Sequence, residues 1–280
     1  MTASSAGTDL RVRPRVRLGA VGYLNARPLV YGLDTLPHFD VRYDIPSECA
    51  RLLHAHETDL GLIPSIEYLR GPRPYVLVPG PAVISKGPVA SVALFTAREP
   101  RDIRTVAMDS SSRTSVALAT MLLQREFGVT PTAVSMAPDL DAMLAAADAA
   151  LIIGDVALFL EPAIQKIDLG DLWSRSTGLP FVYAFWAGWP DAVTPEEVEA
   201  LQRARDEGVA HAADVARAYF PDDPAREAVA KQYLRDNIRY FLGDEELEGL
   251  RMFYRYAAEL DLASFDGTLR FYHAEHHRAR

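Results

Sequence analysis

The chain is poor in the residues that most often announce chemistry. A single cysteine, Cys49, stands among 280 residues, which excludes an internal disulfide framework and any zinc cage built from thiolates. Nothing around it marks an activated thiolate, so Cys49 reads as a small buried apolar residue. Basic residues are in deficit, with 29 Lys and Arg against 38 Asp and Glu and a formal charge of −9. A nucleic-acid binder needs a basic footprint to neutralise phosphates, so no nucleic-acid partner is expected. No stretch approaches the ~20 apolar residues that span a bilayer. The polar, basic leader MTASSAGTDLRVRPRVRLGA has no apolar segment of signal-peptide length. The expectation is a cytoplasmic protein with no membrane partner. Histidine is scarce where it would matter, since none lies between Val92 and Trp189. His273, His276 and His277 fall in a charged tail expected to fray, and His54 and His56 close a helix. No HExxH, Walker loop, GxGxxG or Ser-His-Asp signature occurs, so neither metal nor cofactor is expected.

What is present is a globular composition, 49% hydrophobic and 24% charged, long enough for about two domains. Short β-rich runs alternate with helical patterns. Strands are expected at residues 15–22, 41–45 and 59–64, with helices at 26–33 (starting around Pro28), 47–56 capped by Ser47, and 65–69. A second series follows, with strands at 104–108, 133–136 and 150–153 and helices at 114–127, 140–147 and 155–160. That rhythm denotes parallel sheets with crossover helices. From Thr194 the pattern becomes long charged helices without strand signals, opened by the capping box Thr194-Pro-Glu-Glu197. Two α/β lobes with a cleft between them follow, residues 1–93 with 187–280 and residues 94–186, with crossings near Ala93 and Ala187.

The strand-to-helix junctions carry the functional signal: Gly22-Tyr-Leu-Asn25, Ile63-Pro-Ser65, Asp109-Ser-Ser-Ser-Arg-Thr-Ser115 and Gly154-Asp155. Ligands of open parallel sheets bind beyond the carboxyl ends of the strands, where helix N-termini expose unpaired N–H groups. Ser65, Ser112 and Asp155 are also ordinary N-cap residues, and Asp155 equally suits a nearby cation. A cap needs one such residue, whereas the run Ser110–Ser115 offers several together, as a carboxylate or phosphate cradle requires. Lys86 reads as solvated, Arg27 as a surface or inter-lobe charge, and the alternating Phe181, Tyr183 and Phe185 as an aromatic sheet face.

Five separated segments, Gly22-Tyr-Leu-Asn-Ala-Arg-Pro-Leu29, Asp59-Leu-Gly-Leu-Ile-Pro-Ser65, Ser112-Arg-Thr-Ser-Val116, Leu151-Ile-Ile-Gly-Asp155 and Thr177-Gly-Leu-Pro-Phe-Val182, occur in this order. Together they resemble the chorismate dehydratases of the futalosine route to menaquinone, over roughly Arg15 to Pro190. The helical section after Thr194 matches in character only. The resemblance implies a two-lobed type II periplasmic-binding-protein fold used as a cytoplasmic enzyme. It implies removal of water from chorismate, a small dicarboxylate, to leave 3-[(1-carboxyvinyl)oxy]benzoate. On that reading Asn25 is catalytic, orienting the ring hydroxyl or the base. Ser65 and Ser91 bind one carboxylate, and Ser111, Ser112, Arg113 and Thr114 bind the other, with Asp155 counted in the substrate-binding set. No cleft His or unpaired Glu offers itself as base, and the substrate's own enolpyruvyl carboxylate is a candidate. A sister branch that processes a cyclic futalosine derivative uses a second-lobe histidine, which this chain lacks. That branch and a non-enzymatic binder of a small carboxylate are the runner-up readings. Oligomeric state stays open.

Overall fold

The computed structural model describes residues 14–272. Residues 1–13 of the basic leader and the three tail histidines lie outside the described residues. Strands β1 (Val16–Val21), β2 (Phe39–Asp44), β3 (Leu60–Pro64) and β4 (Val76–Ser85) alternate with helices α1 (Pro46–His54) and α2 (Glu67–Arg70). Then come β5 (Val92–Thr96), β6 (Thr105–Asp109), α3 (Thr114–Phe127), β7 (Thr132–Met136), α4 (Leu140–Ala146), β8 (Ala149–Ile153), α5 (Gly154–Phe159), β9 (Gln165–Asp168) and α6 (Leu169–Thr177). The chain ends with β10 (Phe181–Gly188), α7 (Pro195–Ala210), α8 (Ala212–Tyr219), α9 (Pro224–Asp236), β11 (Arg239–Phe241) and α10 (Asp244–Glu259).

These build two mixed sheets, ordered β11-β4-β10-β3-β1-β2 and β7-β6-β8-β5-β9. Each has the expected parallel centre, β1 with β2 and β3, and β6 with β7 and β8. The strands next to the crossings are antiparallel, because the chain enters and leaves each sheet there. The first crossing occupies residues 86–91, between β4 and β5. The return comes earlier than near Ala187: β10 pairs with β4 from Phe181 and with β3 from Ala184, so Ala187 sits inside the first sheet, opposite Gly61 and Leu77. The aromatic face explains this placement, since Phe181 and Phe185 bury completely between the sheet and the helices on it.

Local chemistry accounts for most elements. Leu118, Met121 and Leu122 recur at helical spacing and bury the inner face of α3, which ends on Gly128 in the left-handed region. The capping box at Thr194 forms as expected, Thr194 Oγ1 accepting from the Glu197 N–H at 3.3 Å while Glu197 accepts from the Thr194 N–H at 2.7 Å. Three expectations are corrected. Leu24–Val30 is a 3-10 turn with Pro28 inside it, since that ring removes an N–H and disfavours a regular α-helix. Helix α1 starts at Pro46 behind Ile45 with no side-chain cap, and Ser47 instead donates its N–H to the Ser111 carbonyl at 3.1 Å. The C-terminal section contains a strand after all, β11, whose three residues are too few to show a period of two. Among the described residues no helix is long and apolar enough to cross a membrane.

Candidate active site

Where β1, β3, β6 and β8 end, the two lobes face each other across a cavity of about 550 Å3, part of it open to solvent. Tyr23, Asn25, Leu62, Pro64 and Tyr183 line it from the first sheet's side, and Ser112, Arg113, Thr114, Ile153 and Gly154 from the second's. Asn25 and the serine-rich turn, 87 residues apart in sequence, therefore meet. Arg113 is the one charged residue in that lining, and no carboxylate or imidazole belongs to it. Helix α3 points its N-terminus here. Arg113 occupies its cap position without a capping side-chain bond, so the first-turn N–H groups are left for a ligand or water.

The remaining site residues stand behind this lining. Ser65 is fully buried, and its hydroxyl donates to the Val182 carbonyl at 2.8 Å. Thr114 Oγ1 lies 3.4 Å from Ser65 Oγ and accepts the Ile66 N–H at 3.2 Å, so Thr114 both borders the cavity and joins the lobes. Ser111 donates to Asp109 Oδ1 at 2.7 Å and accepts from the Tyr23 hydroxyl at 3.0 Å. Ser91 sits 2.6 Å from the Tyr233 hydroxyl. Asp155 is neither an N-cap nor a lining residue; it accepts the Leu24 N–H at 3.1 Å and the Tyr219 hydroxyl across the lobe boundary. Burial pushes its carboxyl above the ordinary range, against the opposing pull of Tyr219, Leu24 and Arg27. Lys86 pairs with Glu245 rather than standing alone in solvent. Arg27 lies 4.6 Å from the Tyr43 ring centroid and 5.2 Å from that of Tyr219, a cation held on aromatic faces beside the lobe boundary.

Four tyrosines stand in or behind the cavity wall, none of them among the expected site residues. Tyr23 packs its ring against Gly154, and Tyr183 lines the cavity with its hydroxyl 3.0 Å from Ser85 Oγ. Tyr219 and Tyr233 arrive from α8 and α9. Tyr23 was recoverable from its position two residues before Asn25. Tyr183 was visible as part of the alternating aromatic stripe, whereas Tyr219 and Tyr233 carried no signal, because an aromatic residue on an amphipathic helix usually serves the core.

A family model described as menaquinone biosynthesis matches residues 16–259. The chain belongs to that family. A chorismate dehydratase of Thermus thermophilus is 34% identical over 261 residues, covering 86% of this chain and 94% of the relative. Among solved structures, a protein from Archaeoglobus fulgidus superposes with a TM-score of 0.71 at 17% identity, covering 89% of this chain and 98% of its own. The alkanesulfonate-binding protein of Xanthomonas axonopodis pv. citri, bound to MOPS, gives 0.57 at 15% identity, with 90% and 95% covered. These likenesses establish the two-lobed binding-protein fold for this family member. In it the cavity wall that carries Asn25 is the turn after β1, and the opposing wall is the loop between β6 and α3.

Proposed function

We propose that this member of the menaquinone-biosynthesis family is a cytoplasmic chorismate dehydratase. The cavity supports the reading best: Asn25 faces an uncapped helix N-terminus, Ser112 and a single guanidinium, with no carboxylate to repel a doubly negative guest. The kinship with a chorismate dehydratase along most of both chains points the same way.

In the proposed reaction the ring carbon bearing the enol ether loses its hydrogen and the neighbouring carbon loses its hydroxyl, so one water leaves and the ring becomes aromatic. The departing hydrogen is vinylogous to the ring carboxylate, and its loss spreads negative charge onto that carboxylate. Donors fixed around it, the first N–H groups of α3 with Ser112 and Arg113, lower the energy of that charge without having to reorganise. Asn25 holds the leaving hydroxyl. No protein base lines the cavity, so the substrate's enolpyruvyl carboxylate takes the proton, and aromatisation supplies the driving force. Ser65, Ser111 and Ser91 then serve the fold of the site rather than the substrate, each through the partner named above.

Incubating the purified protein with chorismate and following 3-[(1-carboxyvinyl)oxy]benzoate by liquid chromatography and mass spectrometry tests the proposal. Asn25→Ala is expected to lower kcat about 100- to 1,000-fold, the usual cost of one transition-state donor, while product binding persists. Ser112→Ala is expected to raise KM instead. Protein that binds the product but leaves chorismate intact would be a carboxylate binder.

A further inference from the structure

Asp109, the last residue of β6, is 1% exposed and stands behind the cavity lining rather than in it. Three donors converge on its carboxylate. Oδ1 accepts the Ser111 N–H at 2.9 Å and the Ser111 hydroxyl at 2.7 Å, and Oδ2 accepts the Ile153 N–H at 3.2 Å. Its own carbonyl accepts the Ser112 N–H at 3.1 Å. All of these donors are neutral. Burying a carboxylate among neutral partners is costly, and behind a cavity proposed for an anion it also repels the guest. Such a residue calls for a geometric reason, and its bonds supply one. Ser111 leads into Ser112 and Arg113 at the start of α3, while Ile153 leads into Gly154 at the start of α5, and these second-lobe segments are the ones that line the cavity. One carboxylate thus clasps both. Because the Ser111 hydrogen goes to Asp109, the Ser111 oxygen is left to accept the Tyr23 hydroxyl of the first lobe at 3.0 Å, and the Tyr23 ring packs against Gly154. The contacts close a circuit that runs from Asp109 through Ser111, Tyr23, Gly154 and Ile153 back to Asp109.

We infer that Asp109 is a positioning residue for the anion cradle. It fixes the β6–α3 loop against the β8–α5 junction, so that Ser112, Arg113 and the first-turn N–H groups of α3 are held at the cavity in one arrangement before a guest arrives. An aspartate can do this and an asparagine cannot. Both side-chain oxygens have to accept, whereas an amide offers one acceptor and turns N–H groups toward a donor. The role differs from that of Asn25, which acts on the leaving hydroxyl, since Asp109 governs how well the guest's carboxylate is held.

The inference deepens the dehydratase reading and rests on it for the identity of the guest. Its test measures the Kd of 3-[(1-carboxyvinyl)oxy]benzoate by titration calorimetry, and kcat and KM for chorismate, in the wild type, Asp109→Asn, Ser111→Ala and the double variant. Thermal melting checks folding. Asp109→Asn keeps the size of the side chain and removes one acceptor. It is expected to raise the product Kd and KM together by about 10- to 100-fold, the effect of misplaced donors, with kcat changed less, the reverse of Asn25→Ala. Ser111→Ala should act in the same direction. The two substitutions should combine less than multiplicatively, because the Ser111 hydroxyl works through Asp109. A residue that merely supports the fold would lower the melting temperature and leave Kd and KM within about twofold. A charge that acts only by repulsion would, once removed, tighten product binding. Each of these two results overturns the inference, as does a fully multiplicative double variant. Where Asp109→Asn does not fold, Ser111→Ala decides: a raised product Kd supports the cradle role, and one within about twofold of wild type overturns it. Wild-type protein that binds the product but leaves chorismate unchanged removes the dehydratase reading, while the product Kd of the variants still decides the role of Asp109. A wild type that binds no product removes both.

Discussion

Asp155 is an acidic residue placed beside a cavity proposed for an anion, and its bonds explain why it does no harm there. Both carboxylate oxygens turn to first-lobe donors, the Leu24 N–H and the Tyr219 hydroxyl, away from the lining. A carboxyl raised by burial binds its proton more tightly folded than unfolded. Its contribution to stability is therefore greatest below the unfolded pKa and falls as pH rises through the folded one. At neutral pH the charge is a cost and the hydrogen bonds are the gain. Asp155→Asn, which keeps an acceptor and loses the charge, is expected to leave the urea midpoint at pH 7 unchanged or higher. Asp155→Ala orphans the Leu24 N–H, while the Tyr219 hydroxyl keeps the Gly22 carbonyl 3.2 Å away, and should cost about 1–3 kcal/mol. Equal losses from the two substitutions would show that the charge itself holds the lobes. Cys49 was legible from composition alone: it is fully buried, and burial pushes its thiol up to about 12, out of reach of nucleophilic chemistry.

At the scale of elements, the β8–α5 junction is the most constrained. Gly154 has φ +67°, and a Cβ there would lie 2.8 Å from two atoms of the Tyr23 ring. Gly154→Ala is therefore expected to cost about 1–2 kcal/mol for the left-handed backbone alone, and also to displace Tyr23 from the cavity wall. Thermal melting and kcat/KM measured together check this; full activity would mean that Tyr23 has room to move. Helix α3 was readable to the residue because an apolar stripe at helical spacing runs up to a terminal glycine. Ser47 misled for a physical reason: Pro46 opens α1 from a position that needs no cap, and the Ser47 N–H is drawn to the other lobe. Strand β11 was illegible because its pairing with β4, not its own three residues, makes it a strand.

For the whole molecule, the lobes are joined directly around the cavity by Ser47 to Ser111, Tyr23 to Ser111, Leu24 to Asp155 and Ile66 to Thr114. A guest held by Asn25 on one side and Ser112 on the other adds to those ties, and binding the folded form alone must stabilise it. At a concentration about 100 times its Kd, 3-[(1-carboxyvinyl)oxy]benzoate should add about 2.7 kcal/mol, read as a rise in Tm. A melting curve that ignores saturating product would place the binding site elsewhere.

The sequence by itself determined the sheet-forming rhythm, the positions of the strand ends and the donor-rich chemistry concentrated there, because these depend on neighbours a few residues apart. Which donors remain available was decided only by tertiary structure. Ser65 donates to Val182, 117 residues away, and Ser91 meets Tyr233 at a separation of 142. A hydroxyl offers one hydrogen, and the partner that receives it is chosen by how distant strands and helices pack, which no local pattern records.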